Sequence, residues 1–405
     1  MINPRSYNIL NNNMGYVAGN LIFSEGEMKR RHDLVRQALV KVGADVLIAQ
    51  LCFPSACMAL DPEITWLLGT PGYKSTETVI LPADGELVLI HGSGQQGTYG
   101  QDCPYICGGG KDMGKYLKGV KKIAYCGLGR ITLKFYDYLK DICKSQNGGQ
   151  DVELIEFSEE LDAIKAVKSR EELDAIANAA WIQDQLIKAA PAYVRPGRNQ
   201  SELQADIMKL LWELNADMSV MTKLLISSGR NGEVDTFPTI APKDRNHLCF
   251  PEYRLTEDDW VHIIYESPGI GGYYSETGRI FYFKEPCLQA RQTWDETVKA
   301  LEFQAGILKP GKTLHEIRKE TNEYLKSRGS CEDTNIFQIR GIGNLTVDRP
   351  QLYDWDQMTL KPDMALSLQP RFRKDGCTAI ALDTYVVTEG EAYRFSQVPQ
   401  ELVVL

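Results

Sequence analysis

Between Asp258 and Phe283 the chain reads DDWVHIIYESPGIGGYYSETGRIFYF, and four of its side chains could do chemistry: Tyr265, Glu266, Tyr274 and Glu276. They stand among Val261, Ile263, Ile264, Ile280, Phe281, Tyr282 and Phe283, residues that build a buried sheet. A carboxylate in such company is costly unless it is paired, hydrogen-bonded or bound to a cation. Two carboxylates and two phenols near one another suit proton transfer: the carboxylate takes a proton or meets a cation, and the phenol donates or relays one. The plainer alternative is that Glu266 and Glu276 lie on a solvated face of the same strands.

The elements that must position these groups follow from the pattern. Two β-type runs around Pro268-Gly269 and Gly271-Gly272 predict a hairpin. Upstream, Ser169 with Glu172 three residues later forms a capping-box signature, opening a helix from about Arg170 to Val194. A second helix, Gln200 to Asn215, carries Leu203, Ile207, Leu210, Leu211 and Leu214 on one face. Leu224 to Ser228 reads as a strand, and Gln289 to Leu308 and Leu314 to Arg328 as two amphipathic helices about the turn Lys309-Pro310-Gly311. Phe337 to Val387 is rich in strands and loops. The first part alternates differently: a helix capped by Ser24 and Gly43, strands at Ala44–Ala49, Glu77–Leu81, Leu87–His91, Lys122–Cys126 and Val152–Phe157, and a helix near Leu133 to Cys143. Ile64 to Thr70 reads as a lead-in to the second strand. That alternation predicts an α/β domain over 1–162 ahead of a second domain over 163–405.

The hairpin resembles the central motif of the pita-bread superfamily, which includes aminopeptidase P, prolidase, methionine aminopeptidase and creatinase. So do the "K-S-x-x-E" opening at Lys168-Ser169 and the segments Ile339-Arg340-Gly341-Ile342-Gly343 ("G-H-G-I-G"), Leu360 to Pro370 ("L-x-P-G-M-x-x-x-x-E-P") and Ile380-Ala381-Leu382-Asp383-Thr384 ("R-I-E-D-T"). The resemblance implies an α/β N-terminal domain followed by an α+β pita-bread domain. It also implies where two divalent metals would be bound, and this chain departs from the pattern there. Aligning Gly272-Tyr273-Tyr274-Ser275-Glu276 on the second half of the motif places Glu276 at one metal ligand and Tyr265 at another. The remaining ligand positions hold Arg340, Gln369 and Leu382. Arg keeps its proton and does not coordinate a cation. A shift of one residue in the hairpin would put Glu266 at the first ligand position. No metal and no cofactor is therefore expected.

What replaced the ligands is mostly polar, which suggests a small polar ligand in place of ions. By that reading the chain is a metal-independent, creatinase-like hydrolase cleaving a C–N or related bond in a small carboxylate-bearing, amino-acid-like substrate. Tyr265, Glu266, Tyr274, Glu276 and Asp383 are its candidate catalytic residues. Arg340, Gln369, Thr236, Arg371 and His247 are the candidate substrate-binding ones, with Arg340 and Arg371 holding the carboxylate. Thr236 stands where creatinase keeps its proton-shuttling histidine, and Gly278 and Gln369 where it holds a guanidinium group, so creatine is not the expected substrate. A lyase using a tyrosine or glutamate base, or a non-catalytic binding protein of the same fold, remains an alternative.

Composition narrows the partners. The chain has 405 residues, with 45 Lys and Arg against 54 Asp and Glu, a net charge of −9. That balance disfavours nucleic acid and anionic membranes. No apolar run is long enough to span a bilayer and the first residues lack a signal-peptide pattern, so a cytoplasmic protein is expected. The ten cysteines form no compact framework, and Cys52-x4-Cys57 and Cys103-x3-Cys107 lack the spacing of a zinc knuckle. The family resemblance implies a homodimer in which residues such as Phe53–Tyr73 or Tyr99–Tyr105 reach the partner's pocket.

Overall fold

A computed structural model describes residues 23–50, 62–69, 77–91, 105–126, 133–217, 222–230 and 253–405. Thr236, His247, Phe53, Tyr73, Tyr99 and the cysteines at 52, 57 and 103 lie outside them. The described residues fall into two compact units, one within Met14–Lys165 and one within Ala166–Leu405.

The first unit is a sheet between helices. Helix α1 (Glu25–Val42) starts where the Ser24 side chain accepts the Glu27 N–H, and stops at Gly43, whose φ of 71° is free only to glycine. Strands β1 (Val46–Gln50), β2 (Glu77–Pro82), β3 (Val88–His91), β4 (Ile106–Gly109), β5 (Lys122–Tyr125) and β6 (Glu153–Glu156) lie in the order β4-β3-β2-β1-β5-β6. Alternation sorts their side chains. Leu47, Val79, Leu81, Leu89 and Ala124 pack with α1 and with α2 (Pro62–Leu68). Val46, Ile48, Ile80, Val88 and Ile123 pack with α3 (Met113–Tyr116) and α4 (Leu133–Gln146). Helix α5 (Ser158–Ala166) follows β6. The lead-in Ile64–Thr70 proves to be part of α2. Strand β4 went unread because Ile-Cys-Gly-Gly carries no apolar alternation.

The second unit contains α6 (Arg170–Tyr193), α7 (Gln200–Glu213), β7 (Lys223–Arg230), β8 (Asp259–Pro268), β9 (Tyr274–Tyr282), α8 (Leu288–Gly306), α9 (Leu314–Ser327), β10 (Ile339–Gly341) and β11 (Ala365–Leu368). It is completed by β12 (Arg371–Lys374), β13 (Cys377–Ile380), β14 (Leu382–Val386), β15 (Tyr393–Arg394) and β16 (Val403–Val404). The main sheet runs β10-β11-β14-β9-β8-β7, with β15 on β14 and β16 on β9; β12 and β13 form a separate ribbon. Helices α6 and α7 bury Ile182, Leu186, Leu203, Ile207 and Leu211 against Val261, Ile263, Tyr265 and Phe281. Helices α8 and α9 contribute Trp294, Leu301, Leu314 and Ile317 to a core with Trp260, Ile280, Tyr282, Leu366 and Leu368. Every residue of β8 and β9 is consequently buried. Glu266 and Glu276 are inside the protein, not on a solvated face.

Candidate active site

The hairpin is held from below by α6. Ser169 and Glu172 form the reciprocal capping box, and the same Glu172 accepts a 2.6 Å hydrogen bond from the Tyr273 hydroxyl. Further along, Asn178 accepts the Ile270 N–H at 3.1 Å, and Gln183 donates to the Ser275 and Ser267 carbonyls at 2.6 and 3.2 Å. The turn needs φ of 70° at Gly271 and 72° at Gly272, which explains the glycines there. With turn and helix contacts set, register follows: Glu266 pairs with Glu276, and Tyr265 with Thr277.

That register lines polar groups across the sheet. Glu266 faces Glu276; the Asp383↔Thr277 pairing puts Thr384 beside Glu276; Ser367 faces Thr384, and Arg340 faces Ser367. Directly opposed residues share a face, so one row crosses five strands. Arg340 Nη2 donates to both oxygens of Glu276, at 2.6 and 2.7 Å. The Ser367 hydroxyl donates to Glu276 as well, and Thr384 Oγ1 accepts the Glu276 N–H at 2.9 Å. Glu266 lies 3.8 Å from the same guanidinium nitrogen, an ion-pair distance beyond hydrogen bonding. Arg340 also donates through Nε to the Thr346 carbonyl at 3.0 Å and through Nη1 to Phe337 O at 3.4 Å. Glu266 and Arg340 are only 3% and 4% exposed, and Glu276 is fully buried. Burial pushes the Glu276 carboxyl up to about 7; Arg340 pulls it down, and the Glu266 charge adds to the rise. Tyr274 shares this face. Burial, with the charges of Asp217 and Glu266, pushes its hydroxyl well above the usual phenol range, so it stays a donor.

Several expected roles need correction. Tyr265 points the other way: its side chain belongs to the α6–α7 core, and its hydroxyl lies 2.8 Å from that of Tyr193. The strand's two-residue period puts adjacent residues on opposite faces, so Glu266, not Tyr265, opposes Glu276. Asp383 is likewise on the opposite face from Glu276. It accepts from Thr277 at 2.6 Å, Arg279 at 3.3 Å and Gln400 at 2.6 Å, and Arg279 binds the Val398 and Pro399 carbonyls at 2.8 and 2.9 Å. That network fastens the segment approaching the C-terminus and makes Asp383 a structural residue. Arg340 does not present a fork to a substrate carboxylate, because Glu276 has taken it. Arg371 sits in the β12–β13 ribbon, its N–H on Asp333 at 3.2 Å, and is not part of the row. Gln369 is adjacent to the row, its N–H on the Gln338 carbonyl at 2.9 Å. Thr236 and His247 fall outside the described residues.

A family model described as metallopeptidase family M24 matches residues 174–389, more than half of the chain. The chain belongs to metallopeptidase family M24. A mycobacterial protein named probable dipeptidase PepE (Mycobacterium tuberculosis H37Rv) is 24% identical over 246 residues, 60% of this chain and 62% of that protein. This chain thus spans less than two thirds of that relative's length. The Xaa-Pro dipeptidase of Pyrococcus furiosus is 23% identical over 253 residues, 61% of this chain and 69% of that one. An uncharacterized hydrolase/peptidase of Sinorhizobium fredii, y4tL, is 24% identical over 429 residues, covering 97% and 100%. Among solved structures, the prolidase of Pyrococcus horikoshii superposes with a TM-score of 0.73 at 16% identity, covering 92% of this chain and all of that one. The X-Pro aminopeptidase of Thermotoga maritima gives 0.74 at 16%, covering 92% and 99%. These likenesses show the pita-bread fold with its N-terminal α/β domain.

Among the described residues no three His, Cys, Asp or Glu gather to hold a metal ion. The two hairpin carboxylates face a guanidinium that is already bonded to one of them. A permanently charged cation in that place repels a divalent ion and offers it no lone pair. Among the described residues, the donors do not fit a dinuclear metal centre.

Four residues were not foreseen as contributors. Ser367 lies between Leu366 and Leu368, and its position opposite Thr384 only becomes visible with the register. Lys168 and Asp348 form a buried pair at 3.2 Å, packed where a side chain on Gly343 would collide with both. Gly343 in turn accepts the Tyr274 N–H at 2.8 Å. The Lys preceding an N-cap serine was the only sequence hint of that pair. Gln338 gave no hint at all.

Proposed function

We propose that this M24 chain is a metal-independent hydrolase of the peptidase type, acting at a C–N bond of a small amino-acid-like substrate beside Glu266 and Glu276. The supporting observation is the pair of buried carboxylates facing each other across β8 and β9 with one guanidinium forked onto only one of them. Once Glu276 has lost its proton, two carboxylates against one guanidinium leave the cluster with a net negative charge. It suits the cationic nitrogen of a substrate better than the carboxylate that Arg340 was expected to hold. In this reading Arg340 does locally what a cation would do for Glu276: it fixes the carboxylate in place and compensates its charge. Glu266 meets the substrate nitrogen or takes a proton from attacking water, and the Tyr274 hydroxyl donates toward the leaving nitrogen. The names of the matched relatives, dipeptidase and Xaa-Pro dipeptidase, support the same reaction class.

A second reading, a binding protein that turns nothing over, is favoured by the closure of Arg340 onto acceptors within the chain. One experiment separates the two. EDTA-treated protein is incubated with a dipeptide panel that includes Xaa-Pro members, with and without Mn²⁺, Co²⁺ or Zn²⁺, and released amino groups are measured. Hydrolysis in EDTA, unchanged by metal and lost in Glu266→Gln, is the expected result. Turnover that appears only with metal, with two ions per chain by elemental analysis, overturns it. Saturable dipeptide binding without turnover supports the second reading.

A further inference from the structure

Beyond the last β10–β11 pair, Ile339↔Leu368, the chain reaches Gln338 on one side and Gln369 on the other. The pairing Ile339↔Leu368 and the Gln369 N–H on the Gln338 carbonyl at 2.9 Å set these two opposite each other. Gln338 stands two residues before Arg340 and Gln369 two residues after Ser367, just past the ends of β10 and β11. Both are inside: Gln338 is fully buried and Gln369 is 6% exposed. Among the described residues, Gln338 Oε1 and Gln369 Nε2 have no hydrogen-bond partner. The amide of Gln338 is not free to turn over. Its Nε2 donates to Asn322 Oδ1 at 3.3 Å, and Asn322 is tied to the Asp333 backbone by two further bonds of 3.2 Å. Oε1 is therefore fixed as an acceptor. A buried donor and a buried acceptor, side by side and unmatched, are costly unless a ligand completes them.

We propose that Gln338 and Gln369 form an amide-reading subsite of the Glu266/Glu276 site, which takes an uncharged carboxamide or peptide group of the substrate. The substrate C=O is received on Gln369 Nε2 and its N–H on Gln338 Oε1. A carboxylate there would leave Gln338 Oε1 without a donor and bring a third negative charge toward the two glutamates. The subsite thus selects an amide over a free acid, because a site built to pair a group penalises the analogue that cannot pair. It rests on the reading of the Glu266/Glu276 cluster as a small-molecule site, but not on catalysis.

The test is calorimetric titration of the full chain with glycyl-prolinamide and with glycyl-proline, which differ only in amide against carboxylate. The expected result is an affinity about tenfold or more higher for the amide, as one unmatched buried polar group implies. Gln369→Met should reduce amide affinity by a similar factor and bring the two ligands together, with a thermal midpoint close to the parent's. Gln338→Met provides the same readout on the other partner if the first variant does not fold. Equal or tighter binding of the free acid, an amide preference that survives both substitutions, or no binding of either probe at millimolar concentration overturns the subsite. Amide preference without hydrolysis leaves the subsite standing and sinks the catalytic reading alone.

Discussion

Arg340 decides the character of the site because its guanidinium is bonded bidentately to a carboxylate with no access to water. Removing it leaves Glu276 and Glu266 buried without a counter-charge. Arg340→Met should lose about 3–5 kcal/mol in urea unfolding, the cost of breaking a buried pair from one side. Adding Glu276→Gln to it should recover part of that loss, since the second charge is then gone. Glu276→Gln alone should be milder, because Glu266 remains within ion-pair distance of the guanidinium. The pH dependence follows with a definite sign. Glu276 is raised from 4.5 to about 7 in the folded protein, so within that window the folded state holds the proton that the unfolded chain has released. Its contribution is fully present below pH 4.5 and lost as pH rises toward 7. Unfolding free energy measured across that window should fall more steeply with pH in the parent than in Glu276→Gln. Parallel curves would contradict the raised carboxyl.

At the level of elements, the site depends on α6 as much as on the hairpin. Gln183 is fully buried and bridges the two hairpin strands near their turn, donating to Ser267 and Ser275. Asn178 and Glu172 hold the turn itself. Register errors in a hairpin exchange its faces, and here an exchange would bring Tyr265 to Glu276 and send Glu266 into the α6–α7 core. Gln183→Leu should cost about 1–3 kcal/mol by leaving buried carbonyls unpaired, measurable by chemical denaturation. Substrate binding should weaken with it. A variant with unchanged stability would show that the strands hold register without the helix.

For the whole molecule, ion binding is the sharpest question. A ligand that binds only the folded state at a hundred times its Kd stabilises by about 2.7 kcal/mol. Mn²⁺, Co²⁺ or Zn²⁺ added to this chain should leave its thermal midpoint where EDTA leaves it, since the cluster already carries its own cation. A metal-dependent rise of several degrees, abolished by Glu276→Gln, would show that Arg340 yields its place. The described residues contain no helix long and apolar enough to cross a membrane.

Much of this was legible in one dimension. Caps at Ser24, Gly43 and Ser169, the α6 and α7 apolar faces and the Gly-Gly hairpin turn are local signals, because helix ends and turns are satisfied by residues next to them in the chain. The family motifs were visible for the same reason, and with them the arrival of an arginine where a metal ligand was due. Which carboxylate faces which, that Asp383 belongs to a structural network with Arg279 and Gln400, and that Arg340 is consumed by Glu276 were decided only in three dimensions. Each of those depends on a pairing register or on partners many residues away. Side-chain direction along a strand reverses with every residue, so a one-residue ambiguity in alignment carries no local trace until the neighbouring strands are in place.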